Sequence, residues 1–475
     1  MASVQNSAQL PQHSRDTHAA LLRMFRRELA ESVRPELHSA YSLYVVDVMS
    51  DMFSHMEDWI AGRDYETVDA LRGDLLHDLP AAPAPTGLTS DLDDFHDVDG
   101  RIEAGFEQAR QDGDTVRTSQ LVGRIGQGFT DLYRTELDRH GDSQQGLDTL
   151  LRRIDWDLTP ELVSRFAREK FGKAEADVAK VTKIPGGNSK DTFLVDFADG
   201  TEWIVRRDFP FGPAETSAPD EYGLLRALSD MGMPVPRPIA AEKDPSWFGQ
   251  PFLVVERVRG VNGDDGARID PEVGRIASLE LARLLARLHA VDPAALGLPV
   301  AQGTAADQVR AYVASWKDWW HKNRLHPNSL VTAGFAWLED NVPEEIARVV
   351  PIHGDPRPGN MLMDGHAVTS LLDWEFIHAG DPSEDLQYAK GFIEPYIGWE
   401  EFRQAYRDAG GAPVSDAGER FYDVFRSLRN VVCCDVSWSG FVSGKYPAFK
   451  LASQGVVYKR MLSRALAASL TGLAG

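Results

Sequence analysis

The sequence predicts an α+β protein in three parts: an all-helical N-terminal segment (1–157), a small antiparallel-sheet lobe (158–257) and a helical lobe (258–475). Two observations carry this. Strand-like runs cluster between Val178 and Glu256, with helical periodicity on either side, and that segregation is the mark of α+β architecture rather than of alternating βα units. Within the second helical part lies a loop that cannot be helix, HGDPRPGN from His353 to Asn360, followed by an apolar run into LLDWE, Leu371 to Glu375.

Composition sets outer bounds. The 475 residues suffice for two or three separately cored units, and 43% hydrophobic with 26% charged residues is ordinary for a globular chain. A formal net charge of -22 argues against nucleic acid as a partner, because a phosphate backbone requires a basic face. Such acidity suits cationic substrates or simply solubility. Cys433 and Cys434 are adjacent and offer no disulfide framework, so the thiols fit a reducing compartment. The start MASVQNSAQLPQ has no basic-then-apolar pattern, and no apolar run approaches a membrane span. The expectation is a cytoplasmic protein with no membrane partner.

In residues 1–157, Leu21, Leu22, Phe25 and Leu29 share one helical face, and Val45, Val46, Met49, Met52 and Phe53 form another stripe. Leu79 to Asp91, rich in proline, breaks the pattern, and Leu121, Val122, Ile125, Phe129, Leu132 and Tyr133 resume it. No acid–base or metal constellation occurs there. The stripes read as core, with a homodimer contact or a substrate lid as further roles for the segment.

Leu158-Thr159-Pro160-Glu161 opens the next unit, with Thr as cap and Pro in the first helical turn. Strand Val178–Ile184 leads into Pro185-Gly186-Gly187-Asn188-Ser189, and Thr192–Phe197 leads out. Such a turn can lay backbone N–H groups over phosphate oxygens, although a GG turn is more often an ordinary hairpin. A third strand carries Arg206 and Arg207 on opposite faces. Helix Glu221–Met231 follows, then a Pro-rich connector and a buried strand ending at Glu256. Leu279 to Leu288 line a further helix as core.

The 353–375 stretch carries the chemistry. Asp355 and Asn360 stand five apart on a rigid loop, and Asp373 ends an apolar strand, Val368 to Leu372. Phosphoryl transfer needs a carboxylate to take up the proton of an attacking hydroxyl, and an Asn and a second Asp to hold Mg²⁺ against nucleotide phosphates. Protein kinases place these groups as H-R-D-x-x-x-x-N and then D-F-G. Here His353-Gly354-Asp355 and Asp373-Trp374-Glu375 keep the order and the first spacing. The comparison predicts a bilobal protein-kinase-like fold. It puts Arg206 in the place of the third-strand lysine that meets the nucleotide phosphates, with no nearby lysine to share the task, and makes Glu221 its helix partner. Glu256 marks the hinge where backbone groups would meet an adenine. His353 reads as a buried hydrogen-bonding residue, and Asp381 as a brace for the catalytic loop.

From about residue 158 onward the chain resembles the aminoglycoside phosphotransferase-like kinases, specifically the kinase-like domain fused to certain acyl-CoA dehydrogenases and its free-standing bacterial relatives. IPGGNSKDTFLVDF, WIVRRDFP, MGMPVPRPIA, FLVVERVRGV, LARLLARLHAVD, HGDPRPGNML, LLDWEFIHAGDPSEDL and FYDVFRSLRN carry the likeness in order. The resemblance implies ATP and Mg²⁺ as cofactors and Asp355 as catalytic base. It implies Asn360 and Asp373 as metal ligands and Arg357 as a neutraliser of the transferred phosphate. Pro356 and Pro358 depart from the bulky residues usual in that loop. The implied substrate is a small hydroxylated metabolite, with a hydroxyacyl-CoA thioester favoured. An aminoglycoside-type antibiotic kinase and a nucleotide-binding pseudokinase scaffold remain the alternatives.

Overall fold

The computed structural model describes residues 158–471 apart from 173–176, 185–188, 212–215, 264–269, 444 and 446–448, with Arg26 and scattered positions between 103 and 127. The helical stripes expected before residue 158, and any dimer contact through them, lie almost wholly outside the described residues, as does the turn residue set Gly186, Gly187 and Asn188. The chain divides into two compact units. One comprises 152–316 and 341–426, and the other takes in 1–151, 317–340 and 427–475. All described candidate residues lie in the first.

That unit opens on α1 (Pro160–Phe171), whose N-cap Thr159 accepts a hydrogen bond from the Leu162 N–H at 3.3 Å, with Pro160 in the first turn. Five antiparallel strands follow: β1 (Val178–Ile184), β2 (Lys190–Phe197), β3 (Glu202–Asp208), β4 (Pro238–Glu242) and β5 (Phe252–Glu256). They run in the order β1-β2-β3-β5-β4, so β3 is central. Its burial alternates strictly, as a period-two strand between two different environments must. Trp203 and Val205 join the core that α1 lays on one face through Val163, Phe166 and Ala167. Ile204 and Arg206 turn to the other face, towards α2 (Glu221–Asp230). Arg207 goes with the first face, its guanidinium on Asp191 at 2.9 Å and on the Phe248 carbonyl at 3.1 Å. The expected opposition of the two arginines is observed.

Beyond β5 come a two-residue strand, β6 (Val261–Asn262), and α3 (Pro271–His289). Leu281, Leu285 and Leu288 of α3 pack in one core with Leu224 and Leu228 of α2 and with Met361, Leu371 and Trp374. This core carries the candidate catalytic stretch. Strand β7 (Val350–Ile352) ends just before His353, β8 (Met361–Asp364) begins after Asn360, and β9 (Ala367–Leu371) ends two residues before Asp373. The loop therefore hangs between strand ends: β7 pairs with β10 (His378–Gly380), and β8 pairs with both β6 and β9. Helix α4 (Ser383–Ile393) follows immediately.

In the second unit Trp320 is fully buried and donates from Nε1 to Asp435 at 3.2 Å, so this tryptophan is core. Among the described residues no helix is long and apolar enough to cross a membrane.

Candidate active site

His353 sets the loop's backbone. Its ring is fully buried; Nδ1 accepts from the Asp355 N–H at 3.2 Å, which leaves the proton on Nε2 to reach the Leu372 carbonyl at 3.0 Å. Burial pushes the ring pKa down despite the nearby Asp385, Asp355 and Asp373, so the imidazole is neutral at pH 7. With both nitrogens engaged it is a framework residue. Gly354 follows at φ 85°, and a Cβ there would lie 2.6 Å from the Phe376 Cβ, so the position excludes every side chain.

The brace on this loop is Asp385, not Asp381. Asp385 Oδ2 accepts from the His353 N–H at 2.8 Å and Oδ1 from the Gly354 N–H at 2.8 Å, while the Nε2 of His289 donates to Oδ2 at 3.0 Å. Asp381 instead lies just before α4, accepting at Oδ1 from the Ser383 N–H at 3.0 Å and from the Ser383 hydroxyl at 2.9 Å. The expectation erred by one helical turn: residue 381 precedes the helix, whereas residue 385 sits in its first turn and faces back to the loop. Burial alone would raise the Asp385 carboxyl, but the bond from His289, then His353 and the Gly354 N–H, hold it below its ordinary value.

Asp355 and Asn360 meet as their spacing suggests. The Asn360 Nδ2 donates to the Asp355 carbonyl at 2.9 Å and to its Oδ2 at 2.8 Å. Both partners are acceptors, which fixes the amide orientation and leaves Oδ1 as the free acceptor of Asn360. Asp355 is 8% exposed, and its Oδ1 is buried without a hydrogen-bond partner, 3.7 Å from the Nε of Arg357. Arg357 is partly exposed and lies over the Phe392 ring. A carboxylate oxygen with no hydrogen bond on a rigid loop is equipped to receive a proton.

The Leu372 N–H donates to the Asn360 carbonyl at 2.7 Å, tying the strand end before Asp373 to the catalytic loop. Asp373 itself has φ 67°, a left-handed conformation that costs a non-glycine residue roughly 1–2 kcal/mol and that Asp tolerates better than most. Held there, its Oδ1 accepts from Arg206 Nη2 at 2.8 Å. The other arm of Arg206, Nη1, reaches Glu221 Oε2 at 2.6 Å, so the strand–helix pair expected from the sequence is present. Burial opposes the Arg206 charge, but Glu221, then Asp373 and Glu375, raise its pKa and keep it cationic.

A residue absent from the sequence reading completes the cluster. Lys190 of β2 is 3% exposed, with Nζ 2.7 Å from Glu375 Oε2 and 3.4 Å from Glu221 Oε1. The expectation that no lysine shares the third-strand arginine's position is thereby corrected. The lysine comes from the neighbouring strand, where Lys190 follows the same face as Thr192, the cross-strand partner of Arg206. Ser189 donates its hydroxyl to the same Glu375 oxygen. Glu256 ends β5 with an exposed side chain, and its N–H is taken by the Arg237 carbonyl at 2.9 Å.

Among the described residues no three His, Cys, Asp or Glu are grouped to hold a metal ion. The donor set, Asp373 with the free Oδ1 of Asn360, still fits Mg²⁺, a hard cation usually held by one or two protein oxygens plus substrate phosphates.

The chain resembles known proteins over this region. The chain is 32% identical over 234 residues to acyl-CoA dehydrogenase family member 11 of Gallus gallus, covering 47% of this chain and 29% of that protein. It therefore spans under a third of that relative's length. It is 28% identical over 182 residues to viomycin phosphotransferase of Streptomyces vinaceus, covering 35% of this chain and 60% of that one. A Ralstonia eutropha crystal structure named for the aminoglycoside phosphotransferases shares the fold, with TM-score 0.50 at 20% identity over 68% of this chain and 99% of that one. Residues 180–425, more than half of the chain, match the sequence profile of the Phosphotransferase enzyme family, and the chain belongs to that family.

Proposed function

We propose that the protein transfers the γ-phosphoryl group of ATP to the hydroxyl of a small metabolite. The observation that carries this is the pairing of Asp355 with Asn360 while Asp355 Oδ1 keeps no hydrogen bond and only the longer ion pair to Arg357, on a loop bonded to the segment bearing Asp373. In this reading Asp355 takes the acceptor's proton as the O–P bond forms. Asn360 keeps that carboxylate in one orientation, which is what positioning contributes to such reactions. Arg357 meets charge developing on the transferred group, and Arg206 meets the nucleotide phosphates. Asn360 Oδ1 and Asp373 would hold Mg²⁺, which supplies neutralisation of phosphate charge when bound. The residues before 158 contribute no catalytic group.

For the acceptor, likeness to a protein named among the acyl-CoA dehydrogenases supports a hydroxyacyl-CoA thioester. The likeness to viomycin phosphotransferase supports the second reading, an antibiotic kinase. The test is ATP consumption by the full chain with Mg²⁺ across two panels, hydroxyacyl-CoA thioesters and aminoglycoside or peptide antibiotics. Stimulation by the first panel alone is expected. Stimulation by the second alone overturns the acceptor, and nucleotide binding without turnover on any alcohol makes the chain a scaffold.

A further inference from the structure

One face of α4 reaches the catalytic loop at two points. Asp385 takes the N–H groups of His353 and Gly354, and Phe392, almost two full turns later on the same face, lies under the guanidinium of Arg357. We infer that Phe392 is a positioning residue: its ring holds the Arg357 guanidinium beside Asp355 without tying it to that carboxylate. This rests on the phosphotransferase reading and adds to it the means by which Arg357 is aimed at the transferred group.

The backbone of Arg357 is set by its neighbour. Pro358 disfavours helical dihedrals at the residue before it, and Arg357 is extended, with φ -152° and ψ 153°. Beyond that backbone a long arginine stem has many rotamers to choose among, and this side chain is 40% exposed. Two contacts place its head. The guanidinium carbon lies 5.7 Å from the centre of the Phe392 ring, inside the ~6 Å at which a cation feels a ring's negative face. Its Nε lies 3.7 Å from Asp355 Oδ1, too far for a hydrogen bond.

The kind of hold matters for the chemistry. A carboxylate in the place of Phe392 would cancel the charge that a phosphate oxygen is to meet, whereas a ring attracts the same cation through its quadrupole and leaves that charge in place. A direct bond from Arg357 to Asp355 would cover the oxygen that receives the proton and lower its basicity. Held on the ring, the cation stays close to that oxygen and off it. The ring is itself well fixed. Phe392 stacks on Tyr388, with centroids 5.7 Å apart and planes at 30°, and Tyr388 is buried. Asp385 anchors the same helix to the start of the loop, so ring and guanidinium share one frame.

Two measurements on the full chain test this. The first is arginine labelling by phenylglyoxal, read at Arg357 by peptide mass spectrometry, with Arg259, 74% exposed, as the internal reference. Phe392→Leu, which fills the space without a π face, should speed labelling of Arg357 about threefold and leave Arg259 unchanged. Phe392→Tyr should label as wild type. The second is transfer of labelled phosphate from Mg²⁺–ATP to water and to the hydroxyacyl-CoA panel. Phe392→Leu should lower kcat about fivefold with the KM for ATP unchanged, and in an Arg357→Met background the same substitution should cost less than about 1.5-fold. A ring that only supported the fold would cost the same in both backgrounds. If Phe392→Leu does not fold, a trifluorinated phenylalanine at the same position keeps the shape, weakens the ring's negative face and carries the same expectations. Wild-type labelling in the ring variant, or an equal cost in both backgrounds, overturns the inference and leaves the phosphotransferase reading intact. If labelling follows the ring but wild type transfers phosphate to neither water nor any alcohol, the phosphotransferase reading falls and the role of Phe392 falls with it.

Discussion

Asn360 holds Asp355 by two hydrogen bonds from one amide nitrogen, to the backbone oxygen at 2.9 Å and to the carboxylate at 2.8 Å. The first fixes the loop and the second fixes the side chain, so Oδ1, which has no hydrogen bond, has one direction in which to accept a proton. Asp355→Asn keeps the shape and removes the basicity. We expect kcat to fall by about 10²–10⁴ with nucleotide affinity preserved, as for loss of a positioned base. Retained turnover on the true acceptor would remove Asp355 from the chemistry.

Asp373→Ala removes the anionic oxygen of the two-donor set and one partner of Arg206. The Mg²⁺ requirement should shift to much higher concentration, read as turnover against Mg²⁺ at fixed ATP. An unchanged Mg²⁺ dependence would place the ion elsewhere.

Arg206→Ala should raise the KM for ATP by about tenfold or more and leave acceptor affinity unchanged, since a charge-assisted bond is worth about 1.5–3 kcal/mol. A change confined to the acceptor would assign this arginine to the other half of the site.

Asp385→Asn turns one donor nitrogen towards donors, because His289, His353 and Gly354 all present N–H groups. The loss should be about 2–4 kcal/mol, measured by denaturant unfolding at pH 7. The pH dependence has a definite sign. The folded Asp385 carboxyl lies below its ordinary 3.8, so its contribution is present above that value and is lost as pH falls through the folded pKa. The stability gap between wild type and variant should therefore close only below pH 3.8. A gap that closed between pH 5 and 7 would implicate a different group.

Much of this site was legible in the sequence because its parts obey local rules. Strand β1 spans Val178–Ile184 as its pattern indicates, and period-two alternation on β3 separates Arg206 from Arg207 without reference to anything distant. The Asp355–Asn360 spacing is itself local. What escaped was set by contacts remote in sequence. Lys190 and Asp191 are poor strand formers, so the second strand was expected to start at Thr192. Their cost is met by Glu375 for Lys190 and by Arg207 and Lys183 for Asp191. Extending the alternation back from Phe197 by two more residues would have put Lys190 on the Arg206 face. Likewise the choice between Asp381 and Asp385 depends on how α4 meets a loop some thirty residues earlier, which helix-start signals do not encode.

The most direct test of the account follows the phosphoryl group itself. Wild type and Asp355→Asn, each preloaded with γ-labelled ATP and Mg²⁺, are mixed with the hydroxyacyl-CoA panel in a single turnover, and the label is traced by mass spectrometry. Label is expected on the acceptor hydroxyl with wild type, with a transfer step slowed by about 10² or more in the variant despite equal nucleotide loading. Label reaching the acceptor equally fast in both proteins, or reaching only water in wild type, would contradict it.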